Sequence, residues 1–255
     1  MTTQLGRILV TNDDGVHAPG LKVLEHVARG LADDVWTVAP EVNHSGAGHS
    51  LTIKRPLRVH ELSERRFAVD GTPTDCVLLA LQSIVQGDVD LVLSGVNRGG
   101  NLGEDVTYSG TVAAAMEATL LDTPAIAMSL CFRNSHPPKW ATAEKHAGAV
   151  VERLVGAGWG KGVLMNVNFP DRVAASVQGM RVVRQGRSKL GDHLIERIDP
   201  RGEPYVWIGG LKHGDIDDPA TDRGAVRRGY IAVTPIHLDM THDAELARLV
   251  NVLDD

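Results

Sequence analysis

Short apolar runs and helically spaced apolar positions alternate along the first two-thirds of the chain. Ile8, Leu9 and Val10 form an unbroken run, the pattern of a short strand buried on both faces. Leu21, Leu24 and Val27 then recur at helical spacing, between Pro19 at a first turn and Gly30 past an end, which predicts a helix from Pro19 to Gly30. Val35–Val38 reads as a second strand, and Leu51–His60 and Arg66–Val69 as further extended pieces. Thr72, Pro73 and Asp75 form a helix-start signal ahead of Cys76 to Gln86. Asp90–Ser94 predicts another strand, and a long glycine-rich loop from Gly95 to Tyr108 follows. Beyond it come an alanine-rich helix to about Asp122, a strand at Ala125–Leu130, a helix at Trp140–Val155 and a strand at Val163–Val167.

This alternation predicts an α/β fold, a Rossmann-like parallel sheet with helices on both faces. After Pro170 the pattern thins. Glu196–Ile198 and Tyr205–Ile208 flank the turn Asp199-Pro200-Arg201-Gly202, Ile231–Thr234 returns to strand character, and Thr241 is placed to cap a last helix from Asp243 to Leu253. The 255 residues read as one domain, with a core over about 7–170 and an appendage over about 171–255 that carries the hairpin and the terminal helix.

Composition narrows the class. Hydrophobic residues make up 43% but aromatics only 4%, so the core is built from Val, Leu, Ala and Ile. The net charge of −6 argues against a nucleic-acid polymer as partner. Cys76 and Cys131 are the only cysteines, too few for a disulfide framework, and Met1 to Gly6 has no apolar signal core, so a cytoplasmic location is expected. No apolar run approaches the ~20 residues of a membrane span.

The chemistry concentrates where the first strand stops. Val10-Thr11-Asn12-Asp13-Asp14-Gly15 ends an apolar run in two adjacent carboxylates, which are costly to bury without a cation. Two other loops leave strand ends, Asn43-His44-Ser45-Gly46 and Ser94-Gly95-Val96-Asn97. In an open parallel sheet, ligands bind outside such ends. Two carboxylates, a hydroxyl and an amide oxygen make an all-oxygen set that suits Mg²⁺ or Mn²⁺ better than zinc. Each piece also has a plainer use: Asp-Asp-Gly as a turn, Ser45 as a loop residue, Asn97 in a left-handed position. Ser109 of Tyr108-Ser109-Gly110-Thr111 suits a helix cap, and the free amides beside it also suit a phosphate. His17, His44 and His49 lie in or near these loops as possible proton donors, and Arg184, Arg187 and Lys189 form a basic cluster that suits either a phosphate or solvent.

Thr11-Asn12-Asp13-Asp14-Gly15-Val16-His17-Ala18-Pro19-Gly20 resembles the opening signature of the SurE (survival protein E) family. Matching pieces follow in order: Ser45-Gly46-Ala47, Gly71-Thr72-Pro73-Thr74-Asp75-Cys76, Ser94-Gly95-Val96-Asn97 and Tyr108-Ser109-Gly110-Thr111. The resemblance is dense from about residue 7 to 130 and thinner after. It implies a metal-dependent nucleotidase acting on nucleoside 5′-monophosphates, on 3′-monophosphates, and on short-chain polyphosphate. One divalent ion per subunit, Mg²⁺ or Mn²⁺, would be held by Asp13, Asp14, Ser45 and Asn97. Asp13 and Asp14 would orient the attacking water, and Asn97, Ser109, Gly110 and Thr111 would bind the phosphate. A homodimer or homotetramer is implied, built partly by the hairpin and terminal helix. Two departures bear on base preference: His44 stands where relatives often carry Arg, and Arg98 where His is frequent.

Rivals fare worse. An aspartyl nucleophile of the haloacid-dehalogenase type uses acids one residue apart, and Asp13 and Asp14 are adjacent. A receiver domain lacks its acceptor Asp after the strand ending at Ser94. A dinucleotide oxidoreductase needs Gly-x-Gly-x-x-Gly where this chain has Asp-Asp-Gly. A catalytically silent nucleotide-binding protein is the alternative that an assay must separate.

Overall fold

A computed structural model describes residues 5–133, 135–187, 194–208 and 218–253. The first half follows the apolar pattern closely. β1 (Arg7–Thr11) leads to α1 (Pro19–Arg29), β2 (Asp34–Pro40), β3 (Val59–Ser63) and β4 (Arg66–Val69). α2 (Pro73–Leu79) begins at a reciprocal cap in which Asp75 N–H donates to Thr72 Oγ1 (3.1 Å) and Thr72 N–H to Asp75 Oδ2 (2.8 Å). β5 (Leu91–Arg98), α3 (Gly110–Leu120), β6 (Ala125–Leu130), α4 (Trp140–Ala157) and β7 (Val163–Phe169) complete the core alternation. Then come β8 (Met180–Val182), the hairpin β9 (Leu194–Ile198) and β10 (Pro204–Ile208), α5 (Asp222–Arg227), β11 (Ile231–His237) and α6 (Asp243–Leu253).

Nine strands form one sheet in the order β3-β4-β2-β1-β5-β6-β7-β11-β8. From β4 to β7 all neighbours are parallel. β11 runs antiparallel to β7, and β3 antiparallel to β4. Alternate side chains of each strand enter opposite cores. Ile8, Val10, Leu93, Ile126 and Phe169 pack on one face with α1 and α4, while Leu9, Val92, Ala127 and Leu164 pack on the other with α2 and α3. The chain runs outward from β1 through β2 to β4, then returns to start β5 on the other side of β1. The direction of winding therefore reverses between β1 and β5, and the crevice at their carboxyl ends is where such sheets receive ligands.

Several local expectations shift. β5 continues through Gly95 to Arg98, where a loop was expected from Gly95 on. Pairing with β6 slips between Ser94 and Asn97 and then resumes at Asn97↔Ser129. Gly95 makes this possible: its φ is +134°, and a Cβ there would lie 2.2 Å from the Met128 carbonyl oxygen. The helix expected to Gln86 is α-helical only to Leu79 and closes through a wider turn at Ala80–Ile84. Of Leu51–His60 only Val59 and His60 reach a strand, because the preceding residues have no ladder partner. His242 Nδ1, not Thr241, accepts from Glu245 N–H (3.1 Å) at the start of α6. β8 and α5 have no counterpart in the sequence reading, and β8 and β11 extend the main sheet well past Pro170. Among the described residues no helix is long and apolar enough to cross a membrane.

Candidate active site

Asp13 and Asp14 follow β1 after Asn12 and lie at the β1/β5 crevice. Asn12 fixes the turn that presents them. Its side-chain amide donates to Gly15 O (3.0 Å), and its Oδ1 accepts from Gly15 N–H (3.2 Å). As befits adjacent residues, the two carboxyl groups face different neighbours.

Asp13 is buried against the start of α3, only 3% exposed. Thr111 Oγ1 donates to its Oδ1 at 2.5 Å. A Cβ on Gly110 would stand 2.8 Å from Asp13 Cβ and 3.1 Å from Pro73 Cγ, so only glycine lets the helix start come this close. Burial pushes Asp13 up to about 6; hydrogen bonding from Thr111 opposes this, and the Asp14 charge adds to it. Among the described residues no cationic side chain acts on it.

Asp14 is half-buried and tied to the other two loops. Asn43 Nδ2 donates to its Oδ1 (3.3 Å), and Arg98 N–H to its Oδ2 (3.1 Å). Asn43 Oδ1 in turn accepts from Ser45 N–H (2.8 Å), and His44 N–H donates to Asp13 O (2.8 Å). Asn97 Nδ2 donates to Gly99 O (3.0 Å), which leaves its Oδ1 without a hydrogen-bond partner among the described residues. Ser45 is exposed. These bonds gather the three loops around the acid pair.

The donor chemistry fits a hard divalent ion. Two carboxylates would balance its charge, one of them a buried acid that meets no cation among the described residues, and Ser45 and Asn97 would add neutral oxygens. Among the described residues no three His, Cys, Asp or Glu side chains cluster as a metal site, so neutral oxygens or water must complete any shell.

Ser109 has the cap role: its Oγ accepts from Val112 N–H (3.1 Å). With that hydroxyl capping and the Thr111 hydroxyl on Asp13, the main-chain N–H groups at the α3 start are the donors left for an anion. The three histidines diverge. His44 contributes its main-chain N–H, His49 Nε2 meets Glu117 Oε2 of α3 at 2.9 Å, and His17 is exposed. Arg184 and Arg187 lie apart from the acid pair, beside Glu104 and Pro235, and Lys189 lies outside the described residues.

Sequence reasoning passed over the residues that brace the site. Asn101 N–H donates to Asn168 Oδ1 (2.8 Å), its side-chain amide to Ser129 Oγ (2.7 Å), and its carbonyl accepts from Asn166 Nδ2 (2.9 Å). Asp222, fully buried, accepts from Gly103 N–H (2.8 Å) and Gly186 N–H (3.0 Å), tying the loop ahead of α3 to the chain after Pro170. Asparagines inside apolar strand pairs such as Asn166-Val167-Asn168 were the available signal.

Fold and site together define the class: a parallel α/β protein with a paired-carboxylate centre at its winding-reversal crevice, set against a helix N-terminus. Within that class the family model described as Survival protein SurE matches residues 8–192, and the chain belongs to this family. A relative from Paramagnetospirillum magneticum named 5′-nucleotidase SurE is 59% identical over 244 residues, covering 95% of this chain and 94% of its own. One from Rhodospirillum rubrum with the same name is 54% identical, covering 92% and 91%. The crystal structure of the SurE protein from Aquifex aeolicus superposes with a TM-score of 0.85 at 38% identity, covering 97% of this chain and all of that one.

Proposed function

We propose that this chain is a divalent-metal-dependent phosphomonoesterase that hydrolyses nucleoside 5′-monophosphates to nucleoside and phosphate. Nucleoside 3′-monophosphates and short-chain polyphosphate are further substrates. The observation that carries this reading is the acid pair whose buried member, Asp13, lies against the α3 start across Gly110 with no cation to meet it among the described residues. The family and the names of the relatives agree with it.

Asp13, Asp14, Ser45 and Asn97 would hold one Mg²⁺ or Mn²⁺ per chain. When bound, the ion supplies charge neutralisation and Lewis acidity at the phosphate. The chain's own groups do the rest. Main-chain N–H groups at Gly110 and Thr111 receive phosphate oxygens, with the Asn97 amide beside them, and stabilise charge that grows in the transition state, while Ser109, whose own N–H is held by Asp105 O (3.1 Å), serves through its cap. Asp13 and Asp14 orient a water in line with the ester oxygen. The water oxygen bonds to phosphorus, the P–O ester bond breaks, a proton given up by the water passes to the leaving ester oxygen, and the nucleoside leaves as its alcohol. Thr111 fixes Asp13 through its hydroxyl, and Asn43 and the Arg98 main chain fix Asp14.

The chain would act as a homodimer or homotetramer. Supporting this, the hairpin exposes Leu194, Ile198, Val206, Trp207 and Ile208, and α6 has no buried residue. A cytoplasmic setting agrees with both cysteines being free thiols.

The test is phosphate release from AMP by EDTA-treated protein, before and after Mn²⁺ or Mg²⁺ is restored. Release only with metal is expected. Nucleotide binding without release in every metal would favour a silent binding protein.

A further inference from the structure

Asp14 opens onto a cleft of about 740 Å³ whose lining joins it and Asn43 to Arg98, Phe132, His136 and Trp140. That volume suits a whole small molecule, more than a phosphate alone requires. Arg98 is the hinge between the two parts. Its main-chain N–H donates to Asp14 Oδ2 (3.1 Å), and its guanidinium carbon lies 5.1 Å from the centroid of the Phe132 ring. The side chain is exposed, and among the described residues it has no carboxylate partner. Among the described residues no ion pair neutralises the guanidinium. It is held over an aromatic ring, which leaves its remaining face to the cleft.

We propose that Arg98, backed by Phe132, is the shelf on which the nucleobase of the substrate stacks. This deepens the nucleotidase reading and rests on it. A planar, weakly hydrated guanidinium stacks on π-systems in a way an ammonium does not. A second phosphate is the other ligand an arginine would attract. The lining favours a base over a second phosphate on two counts: Asp14 brings a carboxylate to the same cleft, and Pro19, Phe132, Pro137, Pro138 and Trp140 offer apolar and aromatic surface to a heterocycle's faces while Ser135 and His136 offer polar groups to its edge. The phosphate of the same molecule would sit at the α3 start, with its base reaching along the cleft to Arg98. Arg98 is therefore a specificity residue. Its contact with Asp14 comes from the main chain and survives any substitution at this position except proline.

The test compares AMP with ribose 5-phosphate, which shares the sugar phosphate and lacks the base. Two readouts are taken for the wild type, Arg98→Ala, Arg98→Lys and Phe132→Leu: equilibrium titration without divalent ion, and kcat/KM with Mn²⁺. The wild type should prefer AMP in both, and Arg98→Ala and Arg98→Lys should each cut the AMP-to-ribose 5-phosphate ratio by about tenfold. Phe132→Leu should cut it by about threefold, since the guanidinium loses its backing. An unchanged ratio in both Arg98 variants overturns the shelf, and if phosphate is still released from AMP the hydrolase reading stands. A base preference that depends on Arg98 in the titration, without phosphate release in any metal, keeps the shelf and overturns the hydrolase.

Discussion

A carboxyl group sealed beneath a helix start resists ionisation, and Asp13 is held up to about 6 for that reason. Its ordinary value is 3.8, so between these pH values the native chain keeps a proton that the unfolded chain has lost. Native stability in the absence of metal therefore falls as pH rises through that window, and the full penalty is present above about 6. Asp13→Asn removes the penalty. Denaturant melts of metal-free protein should show it more stable than the wild type by ~2 kcal/mol at pH 8, with the gain gone near pH 4, while turnover is lost. A variant destabilised equally at both pH values would contradict this account of Asp13. Asp14→Asn should fold normally and lose on the order of a thousandfold in kcat, because one of two charges facing the ion is gone. Ser45→Ala should shift only the half-saturating Mn²⁺ concentration, by less than about tenfold, since water replaces a neutral ligand. Steady-state rates across a Mn²⁺ titration check both. The acid pair was legible because two adjacent carboxylates end an apolar run. Asn43 and the Arg98 main chain were not, because they meet Asp14 from 29 and 84 residues away.

The elements of the first half were legible wherever a strand or helix carries its own signal. β1, α1, β4 and the Thr72 cap need only local periodicity and end residues. β8 and α5 are three and six residues long; β8 exists because β11 pairs with it, and α5 is anchored because its own buried Asp222 accepts from Gly103 N–H. β5 hid its last turn of pairing behind glycine, a residue that reads as loop until its neighbour strand is known. The contact between α3 and the turn after β1 belongs to this scale. Gly110→Ala would gain up to ~1 kcal/mol in helix propensity, but its methyl would meet Asp13 and Pro73 at 2.8 and 3.1 Å. Overpacking of this kind costs about 1–3 kcal/mol, so strain wins. Thermal melts should show a net loss of stability, and kcat should drop more than about tenfold as the helix start is pushed off the acid pair. A fully active, more stable variant would contradict the close approach described for α3.

At the scale of the molecule, the alternation of strand and helix made the sheet predictable, and the winding order that places β1 beside β5 was the part only tertiary structure supplies. The antiparallel β11 between β7 and β8 was likewise invisible, because a lone apolar run carries no direction. The hairpin was visible from its turn, and its solvent-facing Trp207 and Ile208 are 64% and 75% exposed, an unusual cost for a monomer. The double substitution Trp207→Glu with Ile208→Glu should lower the mass seen by light scattering from that of a dimer or tetramer to that of one chain. An unchanged mass would remove the hairpin from the assembly. The central claim is that a single hard cation is held where β1, the Asn43–Ser45 loop and the end of β5 converge. Anomalous diffraction from a manganese-soaked crystal measures this directly. One peak per chain, within bonding distance of Asp13, Asp14, Ser45 and Asn97, is the predicted result, and a well-ordered crystal with no peak among those four side chains would contradict it.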